Sequence, residues 1–156
     1  MPSRISAGAA VVAAILVWTT APAMGVLPPQ LYAQARVDAA HHVQVSVSRM
    51  TPPRETPGVC RVQGRVVTVF RSRGGVLSPG APVSFGVDCL APGDDPGVGG
   101  TLWQGVESLK NARFIEAYLN GDVPPGLSVA RWQYSIITAP TAEPVCPEDK
   151  PGLTCW

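Results

Sequence analysis

From Val43 to Val47 the chain alternates valine with Gln44 and Ser46, and this period of two, carried by β-branched residues, predicts a half-buried strand. Thr51 to Gly58 holds three prolines and reads as a loop. Val59 to Phe70 carries the densest valine content of the chain and is interrupted once, at Gly64. A glycine inside a strand marks a bulge or a sharp bend of the kind barrels use at corners. Val83 to Leu90 alternates again, and Leu127 to Thr138 is a final long strand with Trp132, Tyr134 and Ile136 on one face. Between these last two, Val106, Leu109, Ala112, Ile115 and Leu119 recur at spacings of three and four. That stripe predicts a helix from about Gln104 to Leu119, stopped by Asn120-Gly121. The Gly/Pro-rich run Ala91 to Gly100 is a polar loop.

Four or five strands with one helix before the last strand predict a mainly β domain, a small OB-like antiparallel barrel or curved sheet closed on one side by the helix. The stretch Gly64-Arg65-Val66-Val67-Thr68-Val69-Phe70, followed by Leu77-Ser78-Pro79-Gly80-Ala81-Pro82-Val83, resembles the glycine-kinked hairpin of OB-type and netrin-like secreted barrels. The resemblance covers Val59 to Leu90 and implies a barrel stapled at its ends by cysteines. The netrin-like group carries further cysteines near the mature N-terminus, which this chain lacks, so no inhibitory activity is implied. As a whole the chain also resembles small exported bacterial proteins, a likeness that implies no activity.

The N-terminus changes the picture from a plain domain to an exported one. Arg4 precedes an almost unbroken apolar run, Ala7 to Val17, and Ala21-Pro22-Ala23 supplies a small-residue site. This order predicts a signal peptide over 1–23, with Ala33-Gln34-Ala35 as an alternative end at 35. The apolar run ends at about Trp18, short of the roughly 20 residues that span a bilayer. No stable membrane insertion is therefore expected after cleavage; an uncleaved anchor is the competing reading. Residues 24–42 then read as a flexible arm, 43–139 as the β-rich domain and 140–156 as a disulfide-closed tail.

The chain has 156 residues, room for one domain. Its four cysteines, Cys60, Cys89, Cys146 and Cys155, form an even set in an exported chain and predict two disulfides. Three connectivities are open, of which Cys60–Cys89 with Cys146–Cys155 is preferred. No C-x-x-C spacing points to zinc or to a redox pair. With Arg4 lost in the leader, 11 basic residues stand against 11 acidic ones. A chain of zero net charge has no long-range field for phosphate backbones, so no nucleic-acid partner is expected.

Catalytic signals are sparse. His41 and His42 are the only histidines, and neighbours on a strand point to opposite faces, so a shared metal is not expected. No G-x-S-x-G accompanies them. Glu107 and Glu116, nine residues apart on the predicted helix, fall on roughly opposite faces. Asp94-Asp95 sit in the glycine loop without the alternating acids of a calcium loop. No catalytic residue, metal or cofactor is predicted. Trp103, Trp132 and Tyr134 are the candidate ligand-binding residues, with Trp156 as a terminal recognition or packing residue. The expectation is a periplasmic or secreted, non-enzymatic binding or structural module, with a protein or small ligand of the envelope as partner. The alternative is a small periplasmic hydrolase or metal-dependent enzyme built on His41-His42.

Overall fold

The computed structural model describes residues 27–97, 99–121 and 126–149. The segment predicted as a leader, and also Cys155 and Trp156, lie outside the described residues. Six strands and two helices follow in the order α1 (Pro29–Asp38), β1 (His41–Thr51), β2 (Gly58–Ser72), β3 (Pro82–Leu90), β4 (Gln104–Gly105), α2 (Val106–Asn111), β5 (Phe114–Asn120) and β6 (Leu127–Ile137). β1 pairs with β2, β2 with β3, β3 with β6, β6 with β5 and β5 with β1, which closes a five-stranded barrel; β4 adds a short piece beside β3. All barrel pairings are antiparallel except β3–β6. This is the mainly β, OB-like architecture that the strand pattern predicts.

Alternation places the core. On β2, Cys60, Val62 and Val66 point inward while Val59, Arg61, Gln63, Arg65 and Val67 face out. Val83, Phe85 and Val87 of β3, Val43 and Val45 of β1, and Ile115, Ala117 and Leu119 of β5 complete the filling. Val106 and Leu109 of α2 join the same cluster. Cys60 and Cys89 are disulfide-bonded across β2 and β3, with Cα atoms 5.7 Å apart. Cys146 is disulfide-bonded too.

Gly64 faces Val47 beside a register shift in β1. A Cβ on it would lie 2.1 Å from the Ser46 carbonyl oxygen, so only glycine lets the two strands approach this closely.

Two expectations are corrected. The helix over Gln104 to Leu119 is only α2, and its second half is strand β5. Ile115, Ala117 and Leu119 enter the barrel at period two, but Glu116 and Tyr118 on the other face are buried as well. A strand covered on both faces loses its polar alternation and then fits a helical stripe equally well. The segment read as an arm also has structure: Pro29–Asp38 is helical, with Tyr32, Ala35 and Arg36 buried, and His41 and His42 open β1. Ala35 and Ala39 pack with Tyr118, Ala130 and Cys146 in a second apolar cluster.

Candidate functional site

Two constellations carry polar chemistry. The first lies where β1 and β5 run side by side and the tail crosses them. Gln44 faces Glu116 and His42 faces Tyr118 in the ladder. The Glu116 carboxylate accepts at Oε1 from His42 Nε2 and the Cys146 amide, and at Oε2 from Gln44 Nε2 and the Val145 amide, all at 2.8–3.0 Å. Gln44 also donates to Thr141 Oγ1 at 2.7 Å and accepts from the Thr141 amide at 2.9 Å. Tyr118 donates its hydroxyl to the Cys146 carbonyl, and the His42 ring stacks on it at 3.8 Å. Burial alone would raise the Glu116 carboxyl, but the four hydrogen bonds outweigh it and hold the group below the usual carboxylate range. Burial and the carboxylates of Glu148 and Glu116 push the Tyr118 hydroxyl up.

This arrangement holds a peptide segment. Each carboxylate oxygen already receives two donors, and three of the bonds to Thr141, Val145 and Cys146 go to backbone amides. His41 and His42 do lie on opposite sides of the strand: His42 meets Glu116, while His41 Nδ1 lies 3.5 Å from Ser72 Oγ. Among the described residues no three His, Cys, Asp or Glu side chains form a group able to hold a metal ion. Asp94 receives the Thr56 hydroxyl and Asp95 the Gly97 amide, so both acids serve local loop contacts.

The second constellation is the barrel's parallel seam. β3 and β6 pair only at Phe85–Leu127 and Gly86–Ser128, and β3 then turns to β4 at Cys89 and Leu90. Between these contacts lies a cleft of about 300 Å³, lined among others by Val59, Val87, Asp88, Arg131, Trp132 and Tyr134. Trp132 donates its indole N–H to Asp88 Oδ2 at 2.6 Å, and Tyr134 donates its hydroxyl to Gln104 Oε1 at 3.1 Å. Side chains therefore bridge the seam where backbone pairing stops. Burial, with the nearby Asp88 carboxylate, pushes the Tyr134 hydroxyl up.

Trp132 reaches this position through an irregularity of β6. Ala117 faces Tyr134 and Leu119 faces Val129, so two steps along β5 match five along β6. Four residues of β6, Ala130 to Gln133, thus stand against one of β5, a large bulge with three residues in excess. Within it Arg131 (φ 42°) and Trp132 (φ 59°) both occupy the left-handed region, at a cost of about 1–3 kcal/mol each. Helix α1 braces the bulge. Arg36, almost fully buried, donates to Gln133 Oε1 at 2.6 Å, and the Tyr32 ring tilts against Trp132 at 6.4 Å. Gln133 in turn donates to the Arg131 carbonyl.

Of the aromatic residues singled out from sequence, Trp132 and Tyr134 share the seam cleft. Trp103 lines a separate cleft with Leu90, Pro92 and Glu107. Asp88, Arg131, Arg36 and Gln133 carry no sequence motif. The one signal for them is a change of phase: Leu127 and Val129 face the core at odd positions, Tyr134 at an even one, so the pattern must slip between them. No family model, no curated protein and no solved structure matches this chain.

Proposed function

We propose that the chain is an exported, non-enzymatic binding module that engages its ligand at the β3–β6 seam, with Trp132 as the anchor. The observation that carries this reading is the pair of left-handed residues, Arg131 and Trp132, that line the cleft. Strain of this kind persists only where the surroundings over-determine it, and it clusters at functional sites. Here Arg36, Gln133 and Tyr32 supply the support. Disulfide bonding at Cys60, Cys89 and Cys146 supports residence in an oxidising compartment, periplasmic or extracellular. The competing hydrolytic reading would rest on His42–Glu116, whose carboxylate is saturated by four donors, two of them backbone amides of the tail.

A thermal-shift screen of glycans, peptides and small organic acids against the oxidised protein tests the proposal. A ligand so found should lose at least tenfold in affinity in Trp132→Ala, with far-ultraviolet circular dichroism unchanged, and keep its affinity in Trp103→Ala. Ligands indifferent to Trp132→Ala overturn the seam reading. Turnover of a chromogenic ester or peptide, abolished by His42→Gln in a folded protein, would replace it with the hydrolytic one.

A further inference from the structure

We infer that the ligand of the seam is an acidic polysaccharide, whose carboxylates lie across the outer face of β1, β2 and β3; this rests on the seam reading above. The face is unevenly charged. Arg49 of β1 stands opposite Gln63, and Arg61 and Arg65 of β2 stand opposite Gly86 and Pro82 of β3, all three arginines exposed. The ion pairs among the described residues are His42–Glu116, Arg71–Glu148 and Lys110–Glu107, so none of these arginines is neutralised by one. Asp88 is the one carboxylate of the described residues on the outer faces of β2 and β3, and it is bound to the Trp132 indole. Acids of the described chain lie instead in loops, α1, α2, the tail and, as Glu116, under the tail.

Arg61 ties this face to the cleft. Arg61, Gly86 and Ser128 form one row across β2, β3 and β6. Val59 Cγ1 packs over Gly86, 2.7 Å from where a Cβ would sit, and a Cβ on Gly126 would lie 3.2 Å from Arg61 Nη1. The guanidinium therefore reaches over the seam to the start of β6, beside the cleft that Arg131 and Trp132 line. The result is a strip from Arg49 and Arg65 through Arg61 to Trp132.

The chemistry of the strip selects among polyanions. Guanidinium groups read carboxylates in bidentate fashion, and the hydroxyls and amide of Thr51, Gln63, Ser84 and Ser128 stand between them as partners for sugar hydroxyls. One indole offers a platform for one ring, whereas single-stranded nucleic acid calls for successive stacking residues. An acidic peptide would gain most by adding a strand, but along the strip itself β2, from Arg61 to Arg65, is paired with β1 on one side and with β3 on the other.

The test is calorimetry on the full, oxidised chain with oligomers of galacturonate, glucuronate, mannuronate and guluronate, their neutral methyl esters, oligo-dT and oligo-glutamate. At least one oligouronate should bind, its methyl ester at least tenfold more weakly. Arg61→Gln with Arg65→Gln should reduce affinity at least tenfold and flatten the dependence on salt, while circular dichroism and the melting temperature stay unchanged. Failure of all four oligouronates, or equal binding of oligo-dT or oligo-glutamate, overturns the proposal. Equal, Trp132-dependent binding of a methyl ester overturns the acidic class but leaves the seam reading standing. Oligouronate binding that is arginine-dependent yet unchanged in Trp132→Ala overturns the seam reading and, with it, this proposal.

Discussion

His42 meets Glu116 at 3.0 Å where both side chains are almost fully withdrawn from water, and the same carboxylate holds the amides of Val145 and Cys146. A histidine–carboxylate pair that would suggest acid–base chemistry in an open cleft here fastens the tail to the barrel. Its energetic weight is large because a buried group left without its partner loses its full hydration.

Glu116→Gln keeps the shape but puts an NH₂ where two donors now converge. At least one backbone amide loses its acceptor, since a neutral His42 can turn Nε2 to accept but an amide N–H cannot, and the protein should be less stable by about 1–3 kcal/mol in urea denaturation. The Val145 and Cys146 amides should be the first to lose protection from hydrogen exchange. A variant of unchanged stability would show that the tail is held mainly by the Cys146 disulfide and its apolar cluster.

The same group sets an acid limit. Its folded carboxyl lies below the ordinary value of 4.5, so its contribution is complete above about pH 4.5 and is lost as the pH falls through the folded value. Wild-type stability should therefore decline on acidification below about pH 4.5. The Glu116→Gln protein, lacking the group, should decline less, so that the two curves converge in acid. Parallel curves between pH 6 and pH 2 would contradict this.

The parts of the fold legible in sequence are those where one face of a strand meets water. β2 shows this at Val59 to Val67, and β3 at Val83 to Cys89, so their strands follow from alternation, while the Cys60–Cys89 bond was the preferred one of three open pairings. β5 was hidden because Glu116 and Tyr118 are roofed by the tail and α1, a tertiary fact that no local pattern carries. For the candidate site, Trp132 and Tyr134 were visible as aromatics, but their setting was not. Arg36 reaches Gln133 across 97 residues of chain, and the left-handed backbone at Arg131 and Trp132 falls on residue types that do not advertise it.

Gly64 offers a direct test of the barrel's curvature. In Gly64→Ala the new methyl would meet the Ser46 carbonyl, a backbone atom that cannot swing aside, as well as Val45 Cγ1 at 2.8 Å. β1 and β2 must then part, at a cost of at least about 2 kcal/mol. Gly75→Ala meets nothing within 4 Å but sits at φ 66°, so its smaller loss reports backbone strain alone. Equal losses in urea denaturation would mean that close strand approach is not what requires glycine at 64.

The bulge yields the last prediction. Gln133 is fully buried; it accepts from Arg36 and donates to the Arg131 carbonyl, so it ties α1 to the strained residues. Gln133→Ala removes both bonds and leaves a buried guanidinium without this partner, a loss of about 3 kcal/mol. The more telling readout is local. With its support gone, the left-handed pair can relax and the Trp132 indole can leave Asp88, which should shift its fluorescence to the red and raise its accessibility to acrylamide. Trp103, in its separate cleft, should be unaffected, as a Trp132→Phe background would show. If stability falls but Trp132 keeps its emission and shielding, the Asp88 bond alone sets the indole's position, and α1 serves the fold without shaping the seam.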